Sequence, residues 1–195
     1  MDLAGLAALA AVLGWASGLR LYLVVFITGI AGWLGWLHLP TGLFVLQHPA
    51  ILFGSGAMMF VEFFADKIPG LDSVWDAIHS VIRVPAGAAL AAGVFGADSA
   101  TMGTLAGLAG GTLAATSFAA KASTRAAVNT SPEPFSNIAV SFAEEALVLS
   151  MMWLATHYPL AFGLTLALVV ALMLWLIIQF VRFLKGIFAK VQSYV

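Results

Sequence analysis

Pro159-Leu-Ala-Phe-Gly-Leu-Thr-Leu-Ala-Leu-Val-Val-Ala-Leu-Met-Leu-Trp-Leu-Ile-Ile-Gln-Phe-Val181 holds no charged residue, and Arg182, Lys185 and Lys190 follow it. About 20 consecutive apolar residues are enough to cross a bilayer as a helix. This stretch therefore fixes the class of the protein as integral membrane, and its basic flank predicts a cytoplasmic C-terminus. The whole chain agrees. It is 62% hydrophobic and 9% charged over 195 residues, a composition that a soluble domain of this length does not carry. The formal net charge of −1 gives no electrostatic case for nucleic acid. The absence of cysteine excludes disulfides, thiolate metal sites and thiol nucleophiles. No dinucleotide, Walker-type, HExxH or GxSxG pattern occurs. Met1-Asp2-Leu3 has no basic region ahead of its apolar run, so the N-terminus is expected to be a retained membrane segment.

Working back from 159–181, the candidate segments are 138–156, 100–121, 84–97, 50–66, 21–37 and 3–18. Alternating them across the membrane places His157, Ser99 and the 38–49 loop outside. All eight Lys and Arg then fall inside: Arg20, Lys67, Arg83, Lys121, Arg125, Arg182, Lys185 and Lys190. The predicted fold is thus an all-α integral membrane protein, one polytopic domain over 1–195. It has about seven transmembrane or re-entrant helices, arranged as helical hairpins with Pro/Gly-broken cytoplasmic turns. Six is the alternative count. Two places decide between them: Ser17-Gly18-Leu19-Arg20 must be either a very tight turn or a break in one helix, and the short 84–97 segment either stands alone or continues the amphipathic piece before it. Gly103, Gly107, Gly110 and Gly111 predict close helix packing.

Charge in hydrocarbon is expensive, so the retained polar residues mark candidate sites. Ser55, Met59, Glu62 and Asp66 share one helical face, as do Ser117, Lys121, Arg125 and Asn129. Past the next turn, Glu133, Asn137, Ser141 and Glu145 do the same, with Glu144 beside them. The candidate substrate- or ion-binding set is therefore Glu62, Asp66, Lys121, Arg125, Asn137, Glu144 and Glu145. The plainer reading is that Glu62 and Asp66 pair with Lys121 and Arg125 to neutralise them. The functional reading is that the bases bind an anionic group while the acids tune it. Between 62 and 145 acids outnumber bases, which calls for a cation, a proton or water.

From Leu71 to Arg83 an apolar face (Leu71, Val74, Trp75, Ile78, Ile82) opposes a polar one (Asp72, Asp76, His79, Ser80, Arg83). That pattern predicts an amphipathic helix on the membrane surface, opened by Ser73-Val74-Trp75-Asp76 as a capping-box variant. Its sharper reading is a divalent-cation site, because Asp72, Asp76 and His79 recur at i, i+4 and i+7. Ser131-Pro132-Glu133 reads as the start of the following helix.

The runs Glu62-Phe-Phe-Ala-Asp-Lys-Ile-Pro-Gly-Leu-Asp-Ser-Val-Trp-Asp-Ala-Ile-His79 through Arg83-Val-Pro-Ala-Gly87, and Lys121-Ala-Ser-Thr-Arg125 through Asn129-Thr-Ser-Pro-Glu-Pro-Phe-Ser-Asn137 to Glu144-Glu145, resemble a bacterial membrane-protein family catalogued as a domain of unknown function (number 4126). Ser17-Gly-Leu-Arg20 adds to the resemblance. It implies a multi-pass protein of the bacterial cytoplasmic (inner) membrane and carries no activity. The function expected from the residues is a small transporter, channel or lipid-headgroup translocase with a polar cavity on the cytoplasmic side. The alternative is a non-transporting scaffold or assembly factor; a metal-dependent intramembrane enzyme ranks last. The partners expected are membrane lipids, a small ion or anionic headgroup, and a second copy of the chain.

Overall fold

Backbone amides in hydrocarbon must find partners within their own segment, so a chain this apolar folds as helices. The computed structural model describes residues 1–96, 99–130 and 134–192, with the side chains of 134 and 187–192 left aside. It comprises α1 (Leu3–Trp33), a 3-10 helix (Thr41–Gln47), α2 (Pro49–Ala65), α3 (Leu71–Phe95), α4 (Ala100–Val128), α5 (Pro134–His157) and α6 (Pro159–Gln192). There is no strand among the described residues. By length and composition four helices can cross a membrane: Leu3–Trp33, Leu71–Phe95, Phe135–His157 and Pro159–Gly186. The 3-10 helix and α2, bent by 67° to one another, are long and apolar enough only as a pair, as a broken span or a re-entrant loop.

α1 is helical on both sides of Arg20, whose φ of −144° and ψ of 70° break it. Its neighbours show that the break reverses the chain. In the first arm Ala7 and Ala10 line a cavity with Phe95 and Met102. Gly14 then lies against Gly110, and Gly18 against Ala114 and Ser117, so this arm runs parallel to α4. In the second arm Phe26 meets Gly56, and Gly29 meets Leu46 and Leu52, so it runs antiparallel to α2. Farther on, Thr28 and Ala31 reach Trp153 and His157 at the end of α5. Both ends of α1 therefore lie where α3 turns into α4, with Arg20 at the opposite, charged end of the bundle. The tight-turn reading of Ser17–Arg20 holds: 3–19 and 21–33 are two arms of a hairpin.

α3 is one helix through Pro85, so 84–97 continues the preceding piece instead of standing alone. It starts at Leu71 after Gly70, whose φ of +82° favours glycine, and the expected capping box at Ser73 is not used. The surface-helix reading of 71–83 is corrected too. Asp72, Asp76, His79 and Arg83 are buried, while Val74, Ile78 and Val81 are exposed. The polar face points into the protein and the apolar face outward, which is the orientation for a helix sheathed in lipid.

Burial orders the layers. In α1, 72% of the apolar window is buried, against 17% in α6, so α1 is the central element and α6 a lipid-facing one. The Trp15 indole N–H donates to the Met173 sulfur at 3.4 Å and ties the two together. α3 and α4 pack through small residues, as the glycine spacing predicted. Gly103 lies against Gly96, Gly107 against Ala92, Gly110 against Ala91 and Gly111 against Ala88. Ser131-Pro132-Glu133 and Asp98 lie outside the described residues.

Candidate functional site

The charged end gathers five bases (Arg20, Lys67, Arg83, Lys121, Arg125) and six acids (Glu62, Asp66, Asp72, Asp76, Glu144, Glu145) from five helices and the α2–α3 turn. The reason they converge is visible in the helices. The acids and bases of α2, α3, α4 and α5 each occupy one face, and the Arg20 break projects a guanidinium into the space between those faces. Gly14, Gly87 and Gly110 let the backbones come close enough for short side chains to meet.

Asp66, at the C-cap of α2, is the hub. One of its oxygens is 2.8 Å from both Arg20 Nη1 and Lys121 Nζ, and 3.9 Å from Arg125 Nη2. Lys121 also reaches Asp76 at 3.1 Å and donates to the Leu19 carbonyl at 3.2 Å, which the Arg20 break has freed from the helix. Arg125 donates to the Asp66 carbonyl at 2.7 Å and pairs with Glu144 at 2.9 Å. Cations thus sit at the C-terminal ends of two helical pieces, where the helix dipole favours them. Arg83 pairs with Glu62 and Asp76, each at 2.7 Å. Arg20 donates to the Ser141 carbonyl and hydroxyl at 3.1 and 2.8 Å, and lies 3.4 Å from Glu145.

Several expectations are refined by this geometry. The acidic and basic faces of α2 and α4 do pair, but through Asp66 with Lys121 and Arg125, while Glu62 turns to Arg83. Asn137 accepts from Arg125 at 3.2 Å and donates to Asn129 at 2.6 Å, so it orders the α4–α5 hairpin. Asp72, Asp76 and His79 are not drawn together. Asp72 accepts from the Asn129 amide at 3.0 Å, Asp76 serves Arg83 and Lys121, and the His79 ring stacks on Trp75 and bonds its carbonyl at 2.8 Å. Among the described residues no group of three or more His, Asp and Glu side chains is placed to hold a metal ion.

Arg20, Lys67 and Arg83 belong to the cluster although the candidate binding set left them out. Each left a signal: Arg20 is the lone charge in the apolar block 3–37, Arg83 continues the 72, 76, 79 face, and Lys67 follows the hub acid directly.

Beside the cluster, α2 and α5 stand apart, and the second arm of α1 backs the space between them. The resulting groove has a volume of about 360 Å³. Its walls are Leu23, Met59, Phe60, Phe63 and Leu149, and its polar end is Arg20, Glu62 and Glu145. Phe60 and Leu149 are exposed, so the groove opens sideways, toward the lipid. Glu62 is 1% exposed, yet its Oε2 has no hydrogen-bond partner, and neither has Arg20 Nε. At the charged mouth Lys67 lies half-buried, its Nζ 3.1 Å from the Phe63 ring centre, 4.4 Å from that of Phe142 and 3.5 Å from Glu145. Burial pushes the Lys67 ammonium below the ordinary lysine range, against the pull of Glu145.

The family model described as "Domain of unknown function (DUF4126)" matches residues 7–179, which takes in both arms of α1, the charged cluster and the groove. No curated protein and no solved structure matches the chain.

Proposed function

We propose that this chain, which belongs to the DUF4126 family, is a small membrane transporter for amphiphiles, admitting a lipid-like molecule sideways from the bilayer. The observation that carries this reading is the groove between α2 and α5: apolar along its length, open laterally, and closed at one end by Arg20, Glu62 and Glu145. An acyl chain would lie against Leu23, Met59, Phe60 and Leu149. The headgroup would meet the Arg20, Glu62 and Glu145 side chains at the closed end. Holding that many charges in a lipid-facing bundle is costly, and an unpartnered carboxylate oxygen beside a groove is poorly explained by structural pairing alone.

The orientation follows from the same residues. Arg20, Lys67, Arg83, Lys121 and Arg125 gather at the charged end, and the positive-inside tendency supports a cytoplasmic position for that end in a bacterial inner membrane. Cysteines introduced singly at Thr41, Ser99 and His157 should react with an impermeant thiol reagent applied from outside. Ones at Ser73 and Thr130 should not, and labelling at Thr130 from outside would invert the topology.

Transport itself is tested in proteoliposomes carrying a headgroup-labelled fluorescent lipid. The expected result is protein-dependent movement of the label between leaflets, lost when Leu149→Trp fills the groove while the protein remains folded. Undiminished movement with the groove filled would reject the lateral route. A second reading, a non-transporting scaffold, is favoured by how closely Asp66, Asp76 and Glu144 pair with Lys121 and Arg125. It predicts no lipid movement in any variant.

A further inference from the structure

Lys67 occupies a setting that is chemically an ammonium receptor. Its Nζ sits 3.1 Å over the Phe63 ring and 4.4 Å from that of Phe142, with the Glu145 carboxylate at 3.5 Å and the Ser141 hydroxyl at 3.2 Å. Two aromatic faces and an acid around a cation are the combination that recognises organic ammonium groups. The Phe63 and Phe142 rings are set edge to face, 5.9 Å apart, and they join α2 to α5 at the charged mouth of the groove. Phe63 and Glu145 line that groove as well, so the cage and the groove share walls. Deeper in, Glu62 presents a buried Oε2 with no partner, a second carboxyl acceptor along the same wall. Lys67 itself is on the turn after α2, tethered by a flexible four-carbon stem and 14% exposed, so it can leave without unfolding a helix.

We infer that Phe63, Phe142 and Glu145 form a binding site for the ammonium headgroup of an amphiphile, and that Lys67 is its built-in occupant, displaced when the ligand enters. This rests on the lateral-groove reading and names the substrate class within it: a single-chain or diacyl lipid with a primary or quaternary ammonium. It reverses the expectation that the site selects an anionic headgroup. Arg20 is held through its Nη atoms by Asp66 and Ser141, and Lys67 by the cage; Arg20 Nε and Glu62 Oε2, both beside the groove, make no hydrogen bond, and the acceptor of the two is Glu62.

The experiment compares dodecyltrimethylammonium with dodecyl phosphate as probes, titrated by calorimetry into the full-length protein in maltoside micelles. The ammonium probe should bind the wild-type protein, about tenfold more weakly to Glu145→Gln or Phe63→Leu. It should bind more tightly to Lys67→Met, because that variant lacks the internal competitor. The Lys67→Met arm separates this from a merely structural cage, in which removing the lysine leaves affinity unchanged or lowers it; either result would overturn the proposal. If dodecyl phosphate binds instead and Lys67→Met weakens it, the ammonium assignment fails while the groove reading stands. If neither probe binds, and Leu149→Trp changes nothing in the lipid-movement assay, both fail. Should Phe63→Leu not fold, Phe142→Leu tests the same cage from α5.

Discussion

The two halves of the α1–α3–α4 core are held together by opposite means. From the middle of the bundle to the end where α3 turns into α4, backbones approach until side chains are nearly eliminated: a Cβ on Gly14 would stand 2.5 Å from the Gly110 Cα, one on Gly87 2.7 Å from the Ala114 Cβ, and one on Gly103 2.9 Å from the Gly96 Cα. At the other end the same helices carry buried charges and are joined through Asp66, Lys121, Asp76 and Arg83. Lipid tails are as apolar as leucine, so apolar area alone gives helices no reason to associate. Close packing and polar contacts remain, and this bundle uses one at each end. The glycine half should therefore be sensitive to volume and indifferent to charge, and the charged half the reverse. A site that must exchange ligands belongs in the second, where ions can change partners without moving the backbone.

The sharpest way to break the comparison is at its hub. Lys121→Met leaves Asp66 and Asp76 without the ammonium at 2.8 and 3.1 Å and should destabilise by about 3–5 kcal/mol in thermal unfolding of the micellar protein. Adding Asp66→Asn should restore a large part of that loss, and strictly additive losses would rule out direct coupling. Next comes the seam. Gly14→Val pushes side-chain atoms against the Gly110 backbone and should cost about 1–3 kcal/mol or more by the same measurement, with no rescue from any charge change. Glu144→Gln keeps the shape and weakens the Arg125 pair at 2.9 Å, a loss of about 1–2 kcal/mol. If the buried charge serves lipid movement, flux should fall far more than stability does; unchanged flux would favour the scaffold. The smallest effect is expected on α6. At Gly163 an added Cβ meets nothing within 4 Å, so Gly163→Ala should be neutral or stabilising by up to about 1 kcal/mol through helix propensity. A loss there would mean that α6 packs on something beyond this chain.

Arg20 shows how much of the site could be read in advance. A single charge in thirty-odd apolar residues marked a turn, and Ser17-Gly18 beside it marked where the helix could break. A tight turn and a break in one helix both satisfied that signal; the structure has the turn, which sets the Arg20 guanidinium among partners at the charged end. Glu62 shows the limit. Its helical face was legible, but whether that face meets Lys121 on α4 or Arg83 on α3 depends on the rotation of packed helices, and the answer is Arg83 at 2.7 Å. The 71–83 segment misled for a related reason. An amphipathic pattern says that two faces differ and is silent on which one meets water. Here the polar face meets other charges and the apolar face meets lipid, inverting the surface-helix reading.

By itself the sequence determined the class, the approximate spans, close helix packing at the glycines and the gathering of bases at one end. Each of these rests on local rules: hydrocarbon demands internal hydrogen bonding, small residues let backbones approach, and charge avoids the bilayer. Only the tertiary structure decided that Asp66 is the hub, that Asp72, Asp76 and His79 each find a different partner, and that α2 and α5 part to leave a groove. Those outcomes depend on how helices rotate and space themselves against one another. Periodicity assigns residues to a face but cannot say which face of which neighbour it will meet.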